Sequence, residues 1–282
     1  MTQIAILGTG LLGSGFAEAA AQRGWQVTAW NRTADKARAL EAFGVHVAAT
    51  PADAARGADR VHMILRDDAV VEEVLAAARA GFSPGTIVCD HTTTQPALTA
   101  ARAKRLAAEG VHYLHCPVFM GPPAARAAQG SMMVAGPKAL FDTVEGDLTR
   151  MTGKLMYLGE RLDLAAAYKL FGNAFIVGMG ALVADVFTIA KGAGCTPDEA
   201  LHVMGLFNPG AILEGRGRSM AKGSFTPSFE LTMARKDVRL MIETARALPL
   251  AALPGIAARM DTLIAAGHGD EDVGVIAIDA VK

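Results

Sequence analysis

The sequence predicts an α/β protein: an open, doubly wound sheet over residues 1–161, followed by an all-α domain over residues 162–282 joined to it by a long helix. Three observations predict it. Short apolar runs alternate with amphipathic stretches in the first half. A glycine-rich turn follows the first run and opens the first helical pattern. The β pattern then stops after about residue 160.

The apolar runs, in order, are Ile4–Leu7, Val27–Trp30, Val45–Val47, Val61–Leu65, Thr86–Cys89 and His112–Leu114. Helical patterns lie between them at Leu11–Arg23, Ala34–Phe43, Ala69–Ala80 and Ala97–Glu109. Such alternation points to a parallel sheet with helices on both faces. Gly24, Gly44 and Gly110 follow helical patterns, where a terminating glycine is expected. Pro51, Pro84 and Pro96 punctuate loops or open helices. From Leu162 to Ala193 the chain is one proline-free helical stretch, on the order of 45 Å long at about 1.5 Å per residue. Further helices are expected over Pro197–Met204, Glu230–Ala247 and Pro254–Ala266.

The chain's 282 residues suit two domains, and 51% apolar residues argue against disorder. A net charge of −1 offers no basic field, so no nucleic-acid or membrane partner is expected. Cys89, Cys116 and Cys195 form neither a disulfide framework nor a CxxC zinc pattern. The N-terminus runs straight into a strand pattern without the features of a signal peptide, and a cytoplasmic protein is expected. The most apolar segment, Ala174 to Ala190, contains Asp185 and several glycines; it is expected to be a buried helix rather than a membrane span. His112 and His115, three apart on a strand, point to opposite faces, and no metal site is expected. The thirteen methionines scatter through apolar stretches as core filler.

The turn Gly8-Thr9-Gly10-Leu11-Leu12-Gly13 is a GxGxxG in the right context, after a strand and before a helix. Gly8 permits a tight turn, Gly10 lets a pyrophosphate approach the backbone, and Gly13 lets the helix pack closely on the strand. The helix N-terminus supplies N–H groups to the phosphates. This predicts a Rossmann-type dinucleotide domain. Near the end of the second strand, NAD enzymes carry an acidic residue for the ribose 2′-hydroxyl. Here the residues are Asn31-Arg32-Thr33. Asn31 does not repel a 2′-phosphate, Arg32 can pair with one, and Thr33 adds a hydroxyl. NADP is therefore predicted over NAD; the alternative is a polar turn with a solvated arginine.

The motifs together resemble the β-hydroxyacid dehydrogenase family, which includes 3-hydroxyisobutyrate dehydrogenase and the tartronate, glyoxylate and succinic semialdehyde reductases. The similarity runs from Ile4 to about Ile278. It is carried by the glycine turn with Gly24-Trp25-Gln26-Val27, by Leu65-Arg66-Asp67-Asp68, and by Asp90-His91-Thr92-Thr93-Thr94-Gln95-Pro96. Tyr168-Lys169-Leu170-Phe171-Gly172-Asn173 and Lys236-Asp237 complete it. The resemblance implies cofactor contacts at Leu65, Arg66, Thr93 and Lys236, and a homodimer or homotetramer built on the long helix. It also implies that Lys169 is the catalytic lysine, and that Lys236, supported by Asp237, approaches the substrate.

Reduction of a carbonyl needs a proton donor, and Lys169 stands in an apolar stretch that would depress its pKa from about 10.4. Asn173, four residues on, shares its helix face and could hold the lysine or bond the substrate. From spacing alone, a snorkelling lysine and a packing asparagine remain the alternative. The substrate loop departs from the family's Asp-Ala-Pro-Val-Ser-Gly-Gly: it reads His115-Cys116-Pro117-Val118-Phe119-Met120-Gly121. Phe119 cannot donate the serine's hydrogen bond, Met120 adds bulk, and Gly121 keeps the second glycine. A larger or more apolar substrate, or another anchoring mode, follows. An imine reductase shares this architecture but generally lacks the lysine; Phe119, Met120 and Tyr168 keep that reading open. A non-catalytic NADP-binding sensor would bind the cofactor without turnover.

Overall fold

Ile4 and Ile6 pack into one apolar cluster, and Ala5 and Leu7 into a second. A strand buried on both faces requires that alternation. The strand, β1 (Gln3–Leu7), lies inside a six-stranded sheet in the computed structural model, which describes residues 2–281. Its companions are β2 (Gln26–Trp30), β3 (His46–Val47), β4 (Arg60–Met63), β5 (Ile87–Asp90) and β6 (His112–His115). The spatial order is β3-β2-β1-β4-β5-β6, and every pairing is parallel. The helices between them are α1 (Leu11–Gln22), α2 (Ala34–Arg38), α3 (Pro51–Ala55), α4 (Asp68–Ala78) and α5 (Pro96–Ala108). Strand order reverses between β1 and β4. At such a switch point the loops leaving the strands diverge and open a crevice.

A second, three-stranded sheet was not anticipated from the sequence. It joins β7 (Val118–Phe119), β8 (Ser131–Val134) and β9 (Lys154–Tyr157), with β7 antiparallel and β9 parallel to β8. Two helices, α6 (Pro122–Arg126) and α7 (Lys138–Thr149), connect its strands. The strands are too short for a period-2 pattern to show. β8 supplies Met132 and Met133 to the core, so these methionines are strand residues as well as filler.

The long helix α8 spans Leu164–Ala193. Sequence patterning puts a boundary at 161/162; the internal contacts instead divide the chain inside α8, between Asn173 and Ala174. The buried Ala165 and Ala166 tie the first turns of α8 to the first unit, so Lys169 and Asn173 belong with the sheet. The expected burial of Ala174–Ala190 is corrected: Phe175, Ile176 and Val177 are 60%, 56% and 71% exposed. Within the second unit α8 is held further along. The carboxylate of buried Asp185 accepts from the amides of Ala251, Ala252 and Leu253 at 2.5, 2.9 and 2.8 Å. A Cβ on Gly192 would meet the Thr244 carbonyl oxygen at 1.9 Å. By length and hydropathy α8 is able to cross a membrane. A carboxylate fixed by three protein amides is instead a protein-packing feature, since lipid offers no such donors.

The rest of the second unit comprises α9 (Pro197–Leu201), α10 (Pro209–Ala221), α11 (Leu231–Ala245), α12 (Leu253–Ala265) and α13 (Ile278–Val281). α10 was missed because Gly210, Gly215 and Gly217 dilute its pattern; Asn208 caps it, accepting from Ala211 N at 3.1 Å, with Pro209 as its first residue. Leu231, Val238, Leu253, Met260 and Leu263 form the core of this unit. Asp272 ties its loops together through the amides of Ser228, Phe229 and Gly274.

Candidate active site

At the crevice, Gly8 and Gly13 of the turn each have a distinct steric reason, and Gly10 has none. Gly8 has φ +102°, and a Cβ there would meet the Ile64 carbonyl oxygen at 2.3 Å. A Cβ on Gly13 would lie 1.9 Å from the Gly8 carbonyl oxygen, so Gly13 lets α1 pack against the turn. Nothing lies within 4 Å of a Cβ on Gly10. Gly10 is the N-cap of α1 and brings no side-chain acceptor, whereas Thr50 and Asp67 cap α3 and α4. The N-terminus of α1 thus has no side-chain cap, and the space beside Gly10 is open, which fits a pyrophosphate.

A cavity of ≈ 500 Å³ opens there. Gly8, Gly10, Leu11 and Leu12 line it, with Asn31, Arg32 and Thr33 from the end of β2 and Leu65, Arg66 and Thr93 from the loops after β4 and β5. Gly13 does not line it; it acts through packing. Asn31 is a brace: its Oδ1 accepts from Thr9 N at 3.0 Å and its Nδ2 donates to the Thr33 carbonyl at 3.0 Å. Two charged lining residues escaped the sequence reading, Lys36 and Glu73. The Glu73 carboxylate lies 4.0 Å from the Arg32 guanidinium, and both side chains are largely exposed. Lys36 lies on α2 only four residues after Arg32, a signal that was legible; Glu73 comes from α4, far along the chain, a signal that was not.

Beneath the loop 90–95 lies a buried polar network that patterning also missed. Asp90, fully buried, accepts from Tyr113 Oη at 2.7 Å and from Thr92 N at 2.9 Å. Buried Arg102 binds Asp68 at 2.5 Å and Glu72 at 2.8 Å, and Asp68 also accepts from Gln95 N at 2.8 Å. The Thr92 hydroxyl accepts from Leu65 N at 3.1 Å, joining the two cofactor loops. His91 Nδ1 donates to the Cys116 carbonyl at 2.7 Å, so its Nε2 accepts from His62 Nδ1 at 2.9 Å. His62 Nε2 is then a lone pair with no partner. Among the described residues no group of three or more His, Cys, Asp or Glu side chains could hold a metal.

Burial holds His62 well below the usual histidine range and pushes His91 down to about 4. Between pH 6.5 and about 4 the unfolded chain therefore binds a proton that folded His91 refuses, and stability falls as pH drops through that window. From His91 alone, unfolding at pH 5 should cost about 2 kcal/mol less than at pH 7.5. Urea denaturation at the two pH values measures it. The His91→Gln variant should lose that part of the dependence, and an unchanged dependence would remove the assignment.

Lys169 stands apart from this cavity's lining. It is half-buried, and burial lowers its pKa. Its Nζ donates to the Val118 carbonyl on β7 at 2.7 Å and lies 4.3 Å from the centre of the Phe119 ring. Asn173 makes no hydrogen bond to it; Val118 does the holding. Lys236 and Asp237 sit on α11 in the second unit and pair with each other at 2.8 Å. Phe119 belongs to β7, Met120 follows it, and exposed Gly121 caps α6.

Residues 3–159 match the family model described as the NAD binding domain of 6-phosphogluconate dehydrogenase, and residues 164–278 match the one described as NAD-binding of NADP-dependent 3-hydroxyisobutyrate dehydrogenase. The chain belongs to the β-hydroxyacid dehydrogenase family. Among its relatives, the L-threonate dehydrogenase of Cupriavidus necator is 30% identical over 283 residues, covering 95% of this chain and 93% of that protein. The chloroplastic glyoxylate/succinic semialdehyde reductase 2 of Arabidopsis thaliana is 28% identical, covering 99% of this chain and 79% of that one. The fold is shared with an imine reductase from Myxococcus stipitatus in complex with NADP+, with TM-score 0.88, 20% identity and 98% of both chains covered. This β-hydroxyacid dehydrogenase is thus an NAD(P)-dependent oxidoreductase.

Proposed function

We propose that the protein is an NADP-preferring reductase or dehydrogenase acting between a 3-hydroxy acid and its semialdehyde or oxo acid, with Lys169 as the proton carrier. One observation carries the reading: a half-buried lysine, depressed by desolvation, is held at 2.7 Å by the carbonyl of the loop that bears Phe119 and Met120. When bound, the dinucleotide supplies the hydride. The amides opening α1 would hold its pyrophosphate, Arg32 and Lys36 its 2′-phosphate, and Thr93 its nicotinamide side. Lys169 as ammonium would give a proton to the nascent alkoxide; as amine it would take the alcohol proton in the reverse direction.

Phe119 and Met120 favour a second reading. They bring no side-chain hydrogen-bond donor where the family's loop carries its serine. Imine reduction asks no carboxylate anchor of the loop, and several solved structures that share this fold are imine reductases or reductive aminases. NADPH oxidation over semialdehydes, glyoxylate, bulkier oxo acids and cyclic imines separates the two. Turnover of oxo acids or semialdehydes alone supports the first, and turnover of cyclic imines alone overturns it.

The exposed apolar turns of α8, Phe175 to Met179, support a homodimer or homotetramer. Light scattering should give twice or four times the chain mass. Ile176→Glu should shift it toward the monomer, and a monomeric parent protein would refute the assembly.

A further inference from the structure

Phe119 is fixed on more sides than a loop residue needs. In β7 it pairs with Ser131, and its side chain packs against the buried cluster formed by Met133, Ala135 and Ala165. Next to Ser131, Gly130 has φ +82°, and a Cβ there would lie 2.7 Å from the Phe119 carbonyl oxygen. The ring also meets α8 at Gly172, where a Cβ would fall 2.1 Å from Cζ and 2.6 Å from Cε1. Gly172 is three residues after Lys169, so both lie on one helix face. The notch left by the missing side chain is where the ring sits, with its centre 4.3 Å from the Lys169 ammonium.

We infer that Phe119 is a positioning residue for Lys169: seated in the Gly172 notch, its ring clamps the ammonium against the Val118 carbonyl. The inference rests on the proton-carrier reading of Lys169 for its catalytic meaning, but the clamp itself can be tested without catalysis. Two influences oppose each other at the Nζ atom. Desolvation favours the neutral amine. The carbonyl oxygen and the negative face of the ring both favour the ammonium. The ring therefore sets how far burial can depress the lysine, and it fixes where the proton points. Phe119 is also one of the positions at which this chain departs from the family's loop, standing where the family carries its serine. The departure does two things at once: it removes a hydroxyl donor and supplies a cation-binding face.

The test is competitive acetylation of Lys169 by acetic anhydride as a function of pH, read by mass spectrometry on the full chain without cofactor. Phe119→Leu keeps apolar bulk and removes the ring face. The apparent pKa of Lys169 should fall by about half a unit, the share expected of a partly desolvated cation–π contact. Phe119→Tyr keeps the face and should titrate with the parent. Gly172→Ala evicts the ring and should match Phe119→Leu; should it fail to fold, the two Phe119 variants decide alone. The pH profile of kcat should move with the labelling curve. Parent-like titration in Phe119→Leu, or equal shifts in the Leu and Tyr variants, overturns the clamp. Full activity in Lys169→Ala would remove the catalytic reading and leave the labelling result standing.

Discussion

Lys169→Ala is expected to lower kcat by roughly 10²- to 10⁴-fold, the usual worth of a positioned acid or base. Affinity for NADPH should stay nearly unchanged, because Lys169 does not line the cofactor cavity and its hydrogen bond goes to Val118. The pH dependence fixes the role further. Burial lowers the lysine's pKa below its ordinary value of 10.5. Carbonyl reduction needs the ammonium, so its rate should be flat at low pH and fall as pH rises through that lowered pKa. Alcohol oxidation needs the amine and should rise across the same interval. Fluorescence titration of NADPH together with steady-state rates between pH 6 and 11 reads both. Full activity in Lys169→Ala, or a profile with no limb below 10.5, would remove the lysine from the mechanism.

Arg32→Ala is expected to weaken NADPH roughly 10- to 100-fold, the loss of a hydrogen-bonded charge pair, and to leave NADH within about twofold. The structure adds a competitor that the motif did not show. Glu73 lies 4.0 Å from Arg32 and lines the same cavity. A 2′-phosphate there must draw the guanidinium away from this carboxylate and tolerate its charge. The pair is solvent-exposed and therefore weak, so Glu73→Gln should tighten NADPH by no more than about fivefold and leave NADH unmoved. Lys36→Ala should act in the same sense as Arg32→Ala, with a smaller effect. Equal affinities of the parent protein for NADPH and NADH would end the NADP assignment.

The Rossmann half was legible because local rules coincide there. Ile4–Leu7 is apolar on both faces, as a central parallel strand must be, and Gly24, Gly44 and Gly110 all take the left-handed conformation expected after a helix. Gly8 and Gly13 of the turn follow from chain geometry at single positions. The second sheet was illegible because β7 has two residues and β8 and β9 four each, too few for a period to show. The fate of α8 was misjudged for a related reason: composition reports that a face is apolar, but not whether the same chain has anything to cover it.

By itself, the sequence determined the strand-and-helix order of the six-stranded sheet, the dinucleotide turn, the family and the spacing of the lysine and its helical neighbour, all of which are read from short stretches of chain. Tertiary structure alone decided what those residues meet. It set Glu73 against Arg32, and His62 against His91. It gave Lys169 the Val118 carbonyl and the Phe119 ring rather than Asn173. Each of these partners is dozens of residues distant in the chain, and only folding brings them within the few ångströms at which hydrogen bonds, charges and ring faces act.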